Sequence, residues 1–569
     1  MAKKHIADST KPGYDWVYAS GESAPVASYP ELKKLLLRQL KLSEQDDDFF
    51  TPDYSETLHD PLLLGGVEAA VRRIDKALGR KEQIVVYGDY DIDGITATAL
   101  LVDVLRQLGA QVRPYIPDRF EEGYGLNDEA LLGLKKSGAD LVITVDCGIT
   151  SANEVAKAAQ SGLEIIVTDH HTVPEATPDA AVACINPRLK NDSYPYKDLA
   201  GVAVAFKLAK ALAAQHPDKI KPGREKWLLD LVALGTVCDV VPLNAENRAL
   251  VQFGLKVLAK TPRVGLQALA EVSSVELKSI QTSDLGFRFG PRLNAAGRLE
   301  HASKALQLVI TQDVEEAKRL AHDLNQLNRE RQEETTRIFA EAMAQAEQFS
   351  SDSILVLSDP NWSHGIVGLV ASRVSEAMHK PAIILQELSG KTKGSARSIG
   401  QFNIIQAVNA CSDILERHGG HAFAAGMTLN TAQISEFRRR INLYAAEHKD
   451  DLSVGRELTV AAQLDVALLH KDLLALLDSF EPFGNGNSQP VLSAQLKLNR
   501  LRPVGADLSH LQFGFEAPGG VIGGISFGAT TKWPWLKVGE TVQVAFRASR
   551  NIWQGVESLQ LEVVDVRPA

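Results

Sequence analysis

The sequence has few of the features that mark secreted or membrane proteins. Its 569 residues include only four cysteines, which lie far apart and form no Cys-x-x-Cys pair. This argues against a disulfide scaffold or a thiolate zinc site and for a reducing compartment. No stretch approaches the roughly 18 apolar residues of a membrane-spanning helix, and no apolar segment follows the lysines near the amino terminus. We therefore expect no signal peptide, no membrane association and a cytoplasmic protein.

The sequence also lacks an excess of basic residues. Lys and Arg number 61 against 71 Asp and Glu, which gives a net charge of −10. Nucleic-acid-binding proteins usually present a basic surface, so the total argues against that class. The net charge alone does not exclude nucleic-acid binding, because carboxylates that hold metal ions are neutralised in the working protein. A local basic groove can also coexist with an acidic total.

The composition is otherwise globular, and the length suggests several domains. Residues 1–60 are polar and irregular and are interpreted as a solvated lead-in. From about 81 to 250, β-branched runs alternate with helical segments, a pattern typical of a parallel sheet covered on both faces, and the α/β domain is predicted to span residues 61–312. The predicted strands are Gln83–Tyr87, Val112–Ile116, Leu141–Val145, Glu164–Thr168 and Ala181–Ile185.

The rest of the chain divides into three parts. Residues 313–348 contain neither Gly nor Pro, and their pattern predicts one long helix that connects domains. Residues 349–452 show a second α/β pattern, interrupted by the Gly-rich stretches KGSARSIG and HGGHAFAAG. Residues 453–569 contain short alternating strands separated by Gly, Pro and Asn, which predicts a small β-barrel or sandwich.

Acidic and imidazole side chains follow four predicted elements of the first α/β region. In open α/β sheets the ligand crevice lies outside the carboxyl ends of the strands, so these side chains are expected to converge. Taken singly, each motif could be a solvated turn, a helix cap or a surface histidine pair. Together they favour a shared site. The residues are Asp89, Asp91, Asp93, Asp146, Asp169, His170, His171 and Asp239.

Converging carboxylates with few basic partners would repel each other by several kcal/mol, so a cation is expected among them. Oxygen ligands with a few imidazoles and no thiolates favour Mn²⁺ or Mg²⁺ over zinc. The number of ligands is too large for one ion and suits two ions about 3.5–4 Å apart. Asp146, alone after its strand, is the predicted bridging ligand.

The motifs Gly88–Gly94, Thr144–Ile149, Asp169–His171 and Gly235–Leu243 resemble, in this order, those of the DHH phosphoesterase superfamily. The resemblance covers about residues 45–569 and continues through four further motifs, FGPRLNAAGR at 289–298, WSHGIVG at 362–368, GSARS at 394–398 and GGHAFAAG at 419–426. Two departures are Cys238, where the superfamily more often has Ala, and Ala422-Phe423, where it usually has Pro-Met.

By position, the resemblance implies that two metal ions are held by Asp91, Asp93, Asp146, His170 and Asp239, with Asp89 as a further candidate ligand. It implies that His171 lies beside the reacting phosphate as an electrostatic stabiliser or proton donor. Asp169 would orient its neighbours. The implied architecture is a parallel-sheet DHH domain, a long connecting helix, a DHHA1-like α/β domain and a C-terminal OB-like barrel.

The second α/β region offers donors for a phosphate group. Gly-rich loops expose backbone N–H groups, and arginine provides a forked donor. The glycines could instead only form tight turns, but beside a metal site phosphate binding is favoured, in a groove that holds a strand end. The candidate contacts in this region are His364, Ser395, Arg397, Ser398 and His421, and Arg292, Asn294 and Arg298 from the end of the first α/β region join them.

The C-terminal β region resembles an oligonucleotide-binding fold, which tracks single strands with basic and aromatic side chains. Phe483 and Trp553 are the chosen candidates for base contacts, and Trp533 and Trp535 are further ones. For each of these aromatics, packing in the core of a small barrel is an equally good interpretation.

The resemblance implies a metal-dependent exonuclease that degrades single-stranded DNA from the 5′ end to mononucleotides, in DNA repair and recombination. A single-strand-binding protein and a helicase are implied partners, and we expect a monomer. Two alternatives stay open. A superfamily phosphoesterase acting on short oligonucleotides or cyclic dinucleotides would not need residues 455–569, and a non-catalytic replication scaffold would have lost the carboxylates that are present here.

Overall fold

The computed structural model describes residues 14–19, 21, 24–119, 122–123, 125–452, 455–505, 508–554 and 556–569. These residues form two compact units. The larger contains Tyr54–Val241 and continues from Ala245. The smaller contains the described residues before Tyr54, the segment Pro242–Asn244 and the chain from Gly455. Among the described helices, none has the length and apolarity that a membrane crossing requires.

The smaller unit begins with β1 (Asp15–Tyr18), α1 (Tyr29–Gln39) and α2 (Asp47–Phe50). One face of α1 is apolar, and its Leu32, Leu36 and Leu37 are buried in the core that the C-terminal residues of the same unit build. The segment expected to be an irregular lead-in therefore contains regular structure, because its apolar residues have a partner far along the chain.

The larger unit opens with a five-stranded, all-parallel sheet in the order β3-β2-β4-β5-β6. Its elements up to the last strand are α3 (Tyr54–Thr57), α4 (Val67–Arg80), β2 (Gln83–Gly88), α5 (Ile92–Gln107), β3 (Gln111–Tyr115), α6 (Asp128–Lys136), β4 (Leu141–Val145), α7 (Ala152–Gln160), β5 (Glu164–Thr168) and β6 (Ala183–Ile185). Alternate residues of β2 are buried in different cores: Ile84 and Val86 pack with α5, and Val85 and Tyr87 pack with α6 and α7. Burial on both faces explains the continuous apolar strands and confirms the predicted parallel-sheet domain.

Helices complete this domain and lead out of it. They are α8 (Gly201–Gln215), α9 (Leu229–Cys238), α10 (Ala245–Leu258), α11 (Val264–Val272), α12 (Thr282–Asp284), α13 (Gly290–Leu299) and α14 (Ser303–Ile310). The predicted connecting helix is α15 (Val314–Gln348), 35 residues long. Asp313 caps its start by accepting the N–H groups of Glu315 and Glu316.

The second α/β domain also belongs to the larger unit. It comprises β7 (Leu355–Asp359), α16 (His364–Met378), β8 (Ala382–Leu388), β9 (Lys391–Arg397), α17 (Ile404–Asn409), β10 (Leu415–His421), β11 (Ala424–Asn430), α18 (Ile434–Glu447) and α19 (Lys449–Leu452). The sheet order is β10-β11-β9-β8-β7, with only β7 and β8 parallel. Helix α16 packs on one face of this sheet, and α17 and α18 pack on the other.

The C-terminal part of the smaller unit is a closed barrel. It contains β12 (Glu457–Val460), β13 (Ala462–Leu464), α20 (Lys471–Asp478), β14 (Leu492–Val504), β15 (His510–Ala517), β16 (Gly520–Ser526), β17 (Thr541–Trp553) and β18 (Val556–Pro568). The ring runs β14-β15-β16-β18-β17 and closes because β17 pairs with β14 again. Strand β1 pairs with β12 in parallel. The predicted OB-like barrel is confirmed.

Candidate metal centre and anion pocket

Three aspartates follow β2: Asp89 and Asp91 in the turn before α5, and Asp93 in the first turn of that helix. Asp91 caps α5 by accepting the Gly94 N–H at 3.1 Å. Gly94 packs so closely that a Cβ on it would lie 2.5 Å from backbone atoms of Asp89. Only glycine permits this approach, so the Asp-x-Asp-x-Asp-Gly pattern fixes the turn and, with it, the direction of the carboxylates.

The other ligand candidates follow β4, β5 and α9. Asp146 comes directly after β4 with a left-handed backbone (φ 61°), which is uncommon for a residue with a side chain. Asp169 comes directly after β5 and accepts the backbone N–H groups of Ile149, His170 and His171. It also contacts His171 Nδ1 at 2.7 Å. Oδ1 of Asp169 thus holds the histidine pair, while Oδ2 accepts the Ile149 N–H.

These segments meet around His170. Its Nε2 lies 3.1 Å from Asp146 Oδ1 and 3.6 Å from Asp239 Oδ2. Ligand atoms within 4.8 Å of one another form three overlapping groups: Asp89, Asp91 and Asp146; Asp93, His170 and Asp239; and Asp146, His170 and His171. Since Asp146 and His170 each belong to two of these groups, the arrangement can hold two neighbouring ions.

Four of these side chains present buried atoms that have no hydrogen-bond partner within the described part of the chain. They are Asp89 Oδ1, Asp146 Oδ1, His170 Nε2 and Asp239 Oδ2. Buried carboxylate oxygens without a donor are strongly unfavourable unless a cation satisfies them. The donor set, three carboxylates and one imidazole without thiolate, fits Mn²⁺ or Mg²⁺.

Asp93 differs from the other carboxylates. Its Oδ2 accepts the Gly201 N–H at 2.6 Å, and its Oδ1 accepts the Val202 N–H at 2.8 Å. These two N–H groups open helix α8, where a negative charge is favoured. Asp93 Oδ2 lies 3.9 Å from His170 Nε2. Asp93 therefore ties α8 to the turn after β2 and approaches the centre with oxygens that already have donors.

The electrostatics of the centre are dominated by burial and by the crowding of carboxylates. Burial and the charge of Asp91 raise the pKa of Asp93 to about 7. Burial and the charges of Asp93 and Asp91 raise the pKa of Asp239 to about 9. The pKa of Asp146 is raised well above its ordinary value for the same reasons. A dication pair would remove this repulsion.

The pKa values of His170 and His171 shift in opposite directions. Burial lowers the pKa of His170 to about 4, so its ring is neutral and able to coordinate a metal. Burial acts the same way on His171, but the hydrogen bond and charge of Asp169 outweigh it and raise the pKa of His171. The first histidine suits a ligand and the second a proton donor.

A second cluster, here called the anion pocket, lies where the two α/β domains meet beside the first turn of α16. Arg298 of α13 donates through Nη1 to the Gly365 carbonyl at 3.2 Å. A Cβ on Gly368 would lie 3.3 Å from Arg397 Nη2 and 3.4 Å from Ser395 Oγ, so glycine makes room for these donors. The anion pocket is therefore built by residues of both α/β domains.

Cations crowd in the anion pocket as carboxylates do in the metal centre. Burial, followed by repulsion from Arg119, Arg331 and Arg397, lowers the pKa of Arg298 to about 10. Burial, followed by the charges of Lys393 and Arg119, lowers the pKa of His364 to about 4. Arg331 Nε and His364 Nδ1 are buried without a hydrogen-bond partner among the described residues. A bound anion would satisfy them.

Three family models match successive parts of the chain: the DHH family N-terminal domain at residues 83–236, the DHHA1 domain at 351–447 and the RecJ OB domain at 460–565. The chain is 35% identical over 573 residues to the single-stranded-DNA-specific exonuclease RecJ of Bacillus subtilis, which covers 99% of this chain and 71% of that relative. Its identity to the Escherichia coli protein of that name is 38% over 527 residues, covering 89% of this chain and 91% of that relative. The chain belongs to the RecJ family.

A solved RecJ structure has the same architecture. The crystal structure of Thermus thermophilus RecJ in complex with Mn²⁺ matches with a TM-score of 0.81 and 32% identity, over 95% of this chain and 76% of that one. The superfamily resemblance and the fold class expected from the motifs are both confirmed.

The other residues of this RecJ-family chain that were predicted to contact phosphate differ in burial and in the hydrogen bonds that they already make. Arg292 already donates to Asn325 Oδ1 and to the Arg288 carbonyl. Asn294 is half-buried on α13. The Ser398 hydroxyl donates to the Phe402 carbonyl.

The aromatic residues of the smaller unit that were predicted to contact bases differ in how deeply they are buried. Phe483 is half-buried against the core of that unit. Trp533 is buried and donates through Nε1 to Asp565, so its core interpretation is correct. Trp535 is partly exposed. Trp553 ends β17, and its side chain lies outside the part that the structure describes.

The sequence analysis missed three cations of the anion pocket. Lys393 could have been found, because it alternates with Ser395 and Arg397 on β9 and so shares their face. Arg331 lies in the middle of α15, among charges that look like a solvated surface. Arg119 lies in an irregular segment after β3 and carries no local signal.

Proposed function

We propose that this chain is a metal-dependent exonuclease that degrades single-stranded DNA from its 5′ end to mononucleotides. The observation that carries the proposal is the set of buried, unpartnered ligand atoms on Asp89, Asp146, His170 and Asp239. The anion pocket in the same unit supports a phosphate-bearing substrate. Membership of the RecJ family supplies the substrate class.

Six residues are proposed to hold the two ions: Asp89, Asp91, Asp93, Asp146, His170 and Asp239. Asp146 would contribute to both ions, since it belongs to two of the overlapping groups. Asp93 would in addition tie α8 to the centre, because both its oxygens also accept N–H groups there. When bound, Mn²⁺ or Mg²⁺ makes water nucleophilic near neutral pH and offsets the charge that develops on the phosphate.

His171 is proposed to donate a proton or hydrogen bond to the reacting phosphodiester. Asp169 holds its Nδ1 at 2.7 Å and raises its pKa, which favours the protonated ring. A protonated imidazole stabilises negative charge on the phosphate and can protonate the departing oxygen. Asp169 is a positioning residue, since its contacts are with the protein.

The anion pocket is proposed to hold the 5′-terminal phosphate. Arg298, Arg397 and Ser395 offer donors beside the first turn of α16, and Arg119 and Arg331 add positive charge. Forked guanidinium groups are well suited to phosphate oxygens. Anchoring a strand end there would set the direction of degradation, because only a 5′ end carries that phosphate.

The closed barrel of the smaller unit is proposed to bind the single strand further along. This is the usual task of OB folds, which combine basic grooves with aromatic platforms. Interaction with a single-strand-binding protein and a helicase, a role in DNA repair and recombination, the monomeric state and the cytoplasmic location remain predictions.

The test offers the purified protein 5′-phosphorylated single-stranded DNA, duplex DNA and RNA, each with Mn²⁺, Mg²⁺ or chelator. We expect mononucleotides released in order from the 5′ end of single-stranded DNA, and no release with chelator. Release from the 3′ end, or activity confined to strands of a few nucleotides or to cyclic dinucleotides, would contradict the proposal.

A further inference from the structure

A cavity of about 760 Å³ lies in the first α/β domain and shares no residue with the metal centre or the anion pocket. Its volume is within the range of about 300–1,000 Å³ that is usual for small-molecule sites. The walls come from the second half of α5, the turn Arg224–Leu228, the start of α11 and the end of α14. We call it the distal cavity, and the residues that line it include Ala99, Arg106, Arg224, Trp227, Arg263 and Ile310.

Helix α5 separates the distal cavity from the metal centre. Asp91 caps the start of this helix and Asp93 lies in its first turn, whereas Arg106 lies in its last turn. At 1.5 Å per residue, Asp93 and Arg106 are roughly 20 Å apart along the helix axis. A ligand in the distal cavity would therefore not touch the metal ions.

The carboxylates of the distal cavity already have partners. Arg263 lies between them, with its Nη2 2.7 Å from Asp103 Oδ2 and its Nε 3.2 Å from Asp230 Oδ2. Asp230 is fully buried and also accepts the Thr261 hydroxyl at 2.7 Å. Three arginines and two aspartates line the distal cavity, so its net charge is positive.

Two guanidinium groups carry the uncompensated charge. Arg106 and Arg224 are both exposed and line the distal cavity from separate segments of the chain. Neither side chain forms an ion pair or a hydrogen bond with another residue in the described ranges. The planar fork of a guanidinium group matches phosphate oxygens, and two such groups at one cavity offer donors to a single phosphate.

The distal cavity also has an aromatic and aliphatic wall. Trp227 is half-buried and lines it, together with Val102, Val264 and Ile310. The Lys260 ammonium lies over the Trp227 ring at 5.7 Å from its centre. An indole ring beside aliphatic side chains suits a planar, largely apolar group such as a nucleic-acid base.

We propose that the distal cavity binds a mononucleotide, with the base against Trp227 and the phosphate on Arg106 and Arg224. A mononucleotide combines the two groups for which the cavity has partners, a planar ring and a phosphate. The inference rests on the proposed exonuclease function, because that reaction releases mononucleotides. It adds a second place for the product, at the far end of the helix that begins at the metal centre.

The experiment measures binding of labelled dAMP by equilibrium dialysis, in chelator and on an Arg298→Met background. Chelator removes the metal ions and Arg298→Met weakens the anion pocket, so the distal cavity is the site that remains. We expect one dAMP to bind per chain. Adding Arg224→Met should raise the Kd roughly 10-fold or more, since a hydrogen bond between charged groups is lost. Adding Arg72→Met, at an exposed pair with Glu68, is the control and should leave the Kd unchanged.

A second measurement tests the base. Binding of dAMP is expected to quench tryptophan fluorescence, and most of this quenching should be absent in Trp227→Phe. Trp227→Ala should raise the Kd for dAMP roughly 10-fold, because stacking is lost, and Trp227→Phe should restore most of the affinity. Arg224→Met should leave the Kd for deoxyadenosine, which lacks the phosphate, unchanged.

Three results would overturn the inference. The first is that no dAMP binds on the Arg298→Met background in chelator. The second is that Arg224→Met and the control Arg72→Met give the same Kd. The third is that inorganic phosphate displaces dAMP at concentrations equal to those of unlabelled dAMP, which would mean that the base is not recognised. If the protein binds dAMP as expected but does not degrade single-stranded DNA with Mn²⁺, the proposed function fails while the mononucleotide site stands.

Discussion

The metal centre and the anion pocket are both clusters of like charge, but they are held together in different ways. Backbone N–H groups of neighbouring turns and helix starts fix the carboxylates Asp91, Asp93 and Asp169 of the metal centre. In the anion pocket, by contrast, Arg298 donates to the main-chain carbonyl of Gly365, and the neighbouring guanidiniums come from separate segments. The metal centre is thus prepared by local structure, whereas the anion pocket depends on the packing of two domains.

The largest expected effect is at the shared ligand of the metal centre. Asp146→Asn keeps the shape of the side chain and tolerates the left-handed backbone, but it removes the charge that is proposed to hold both ions. We expect kcat to fall at least about 10³-fold. Because one buried negative charge is removed, the Tm of the metal-free protein should not fall. Release of labelled mononucleotide and a thermal melt in chelator measure the two values.

Asp75→Asn is the control for this variant, since Asp75 pairs with His216 at the surface of the same domain. Near-normal turnover of Asp146→Asn in excess Mn²⁺ would show that Asp146 does not bridge the two ions.

The second-largest effect is expected when the anion pocket loses a hydrogen-bond donor. Arg298→Met should raise KM for 5′-phosphorylated strands about 10- to 100-fold, since a hydrogen bond to a charged group contributes about 1.5–3 kcal/mol. Strands with a 5′ hydroxyl should be affected much less. Steady-state kinetics on the two strand types give the comparison, and Arg72→Met, at an exposed pair with Glu68, is the control. Equal effects on both strand types would show that Arg298 does not recognise the terminal phosphate.

A change of pH is expected to have an intermediate effect on the Tm of the metal-free protein. The pKa of Asp93 is raised to about 7 and that of Asp239 to about 9, so both carboxyls bind a proton more tightly when folded. Their contribution to stability is complete below the ordinary carboxyl pKa near 4 and is lost as the pH rises through about 7 and about 9. The Tm in chelator should therefore fall between pH 5 and pH 9.

Mn²⁺ should flatten this dependence, because the ions compensate the ionised carboxylates. Thermal melts with and without Mn²⁺ at several pH values measure the difference. A metal-free Tm that rises from pH 5 to pH 9 would contradict the assignment of repulsion to the metal centre.

The smallest effect is expected at the edge of the anion pocket. Lys393 is half-buried on β9 and acts on His364 through its charge. Lys393→Ala should raise KM at most about 3-fold, and the effect should shrink as salt screens the charge. Kinetics at 50 and 300 mM salt test this, with Lys391→Ala at the exposed start of the same strand as the control. A rise in KM as large as that expected for Arg298→Met would mean that the anion pocket extends along β9.

Local rules explain why the metal centre could be predicted from the sequence. Asp89, Asp146 and Asp169 each follow a buried parallel strand, and such strand ends share one edge. The sequence also predicted both α/β domains, the 35-residue helix and the barrel, because each has its own period of apolar residues.

Contacts between distant segments explain what could not be predicted. The bonds of Asp93 to the start of α8 join residues 108 and 109 positions apart. The pairing of β1 with β12 joins strands from opposite ends of the chain and turns the supposed lead-in into part of the smaller unit. Arg331 had no recognisable pattern, because a single inward-facing cation does not alter the periodicity of a charged helix.

The position of Arg331 on α15 has a consequence for the mechanics of the larger unit. Arg119 comes from the first α/β domain, Arg331 from the helix that links the domains, and Arg397 from the second. The charges of all three repel Arg298, and a phosphate bound among them would attract all three segments. A captured strand end would thus act as a clamp, and α15 should resist protease cleavage better when a 5′-phosphorylated oligonucleotide is present.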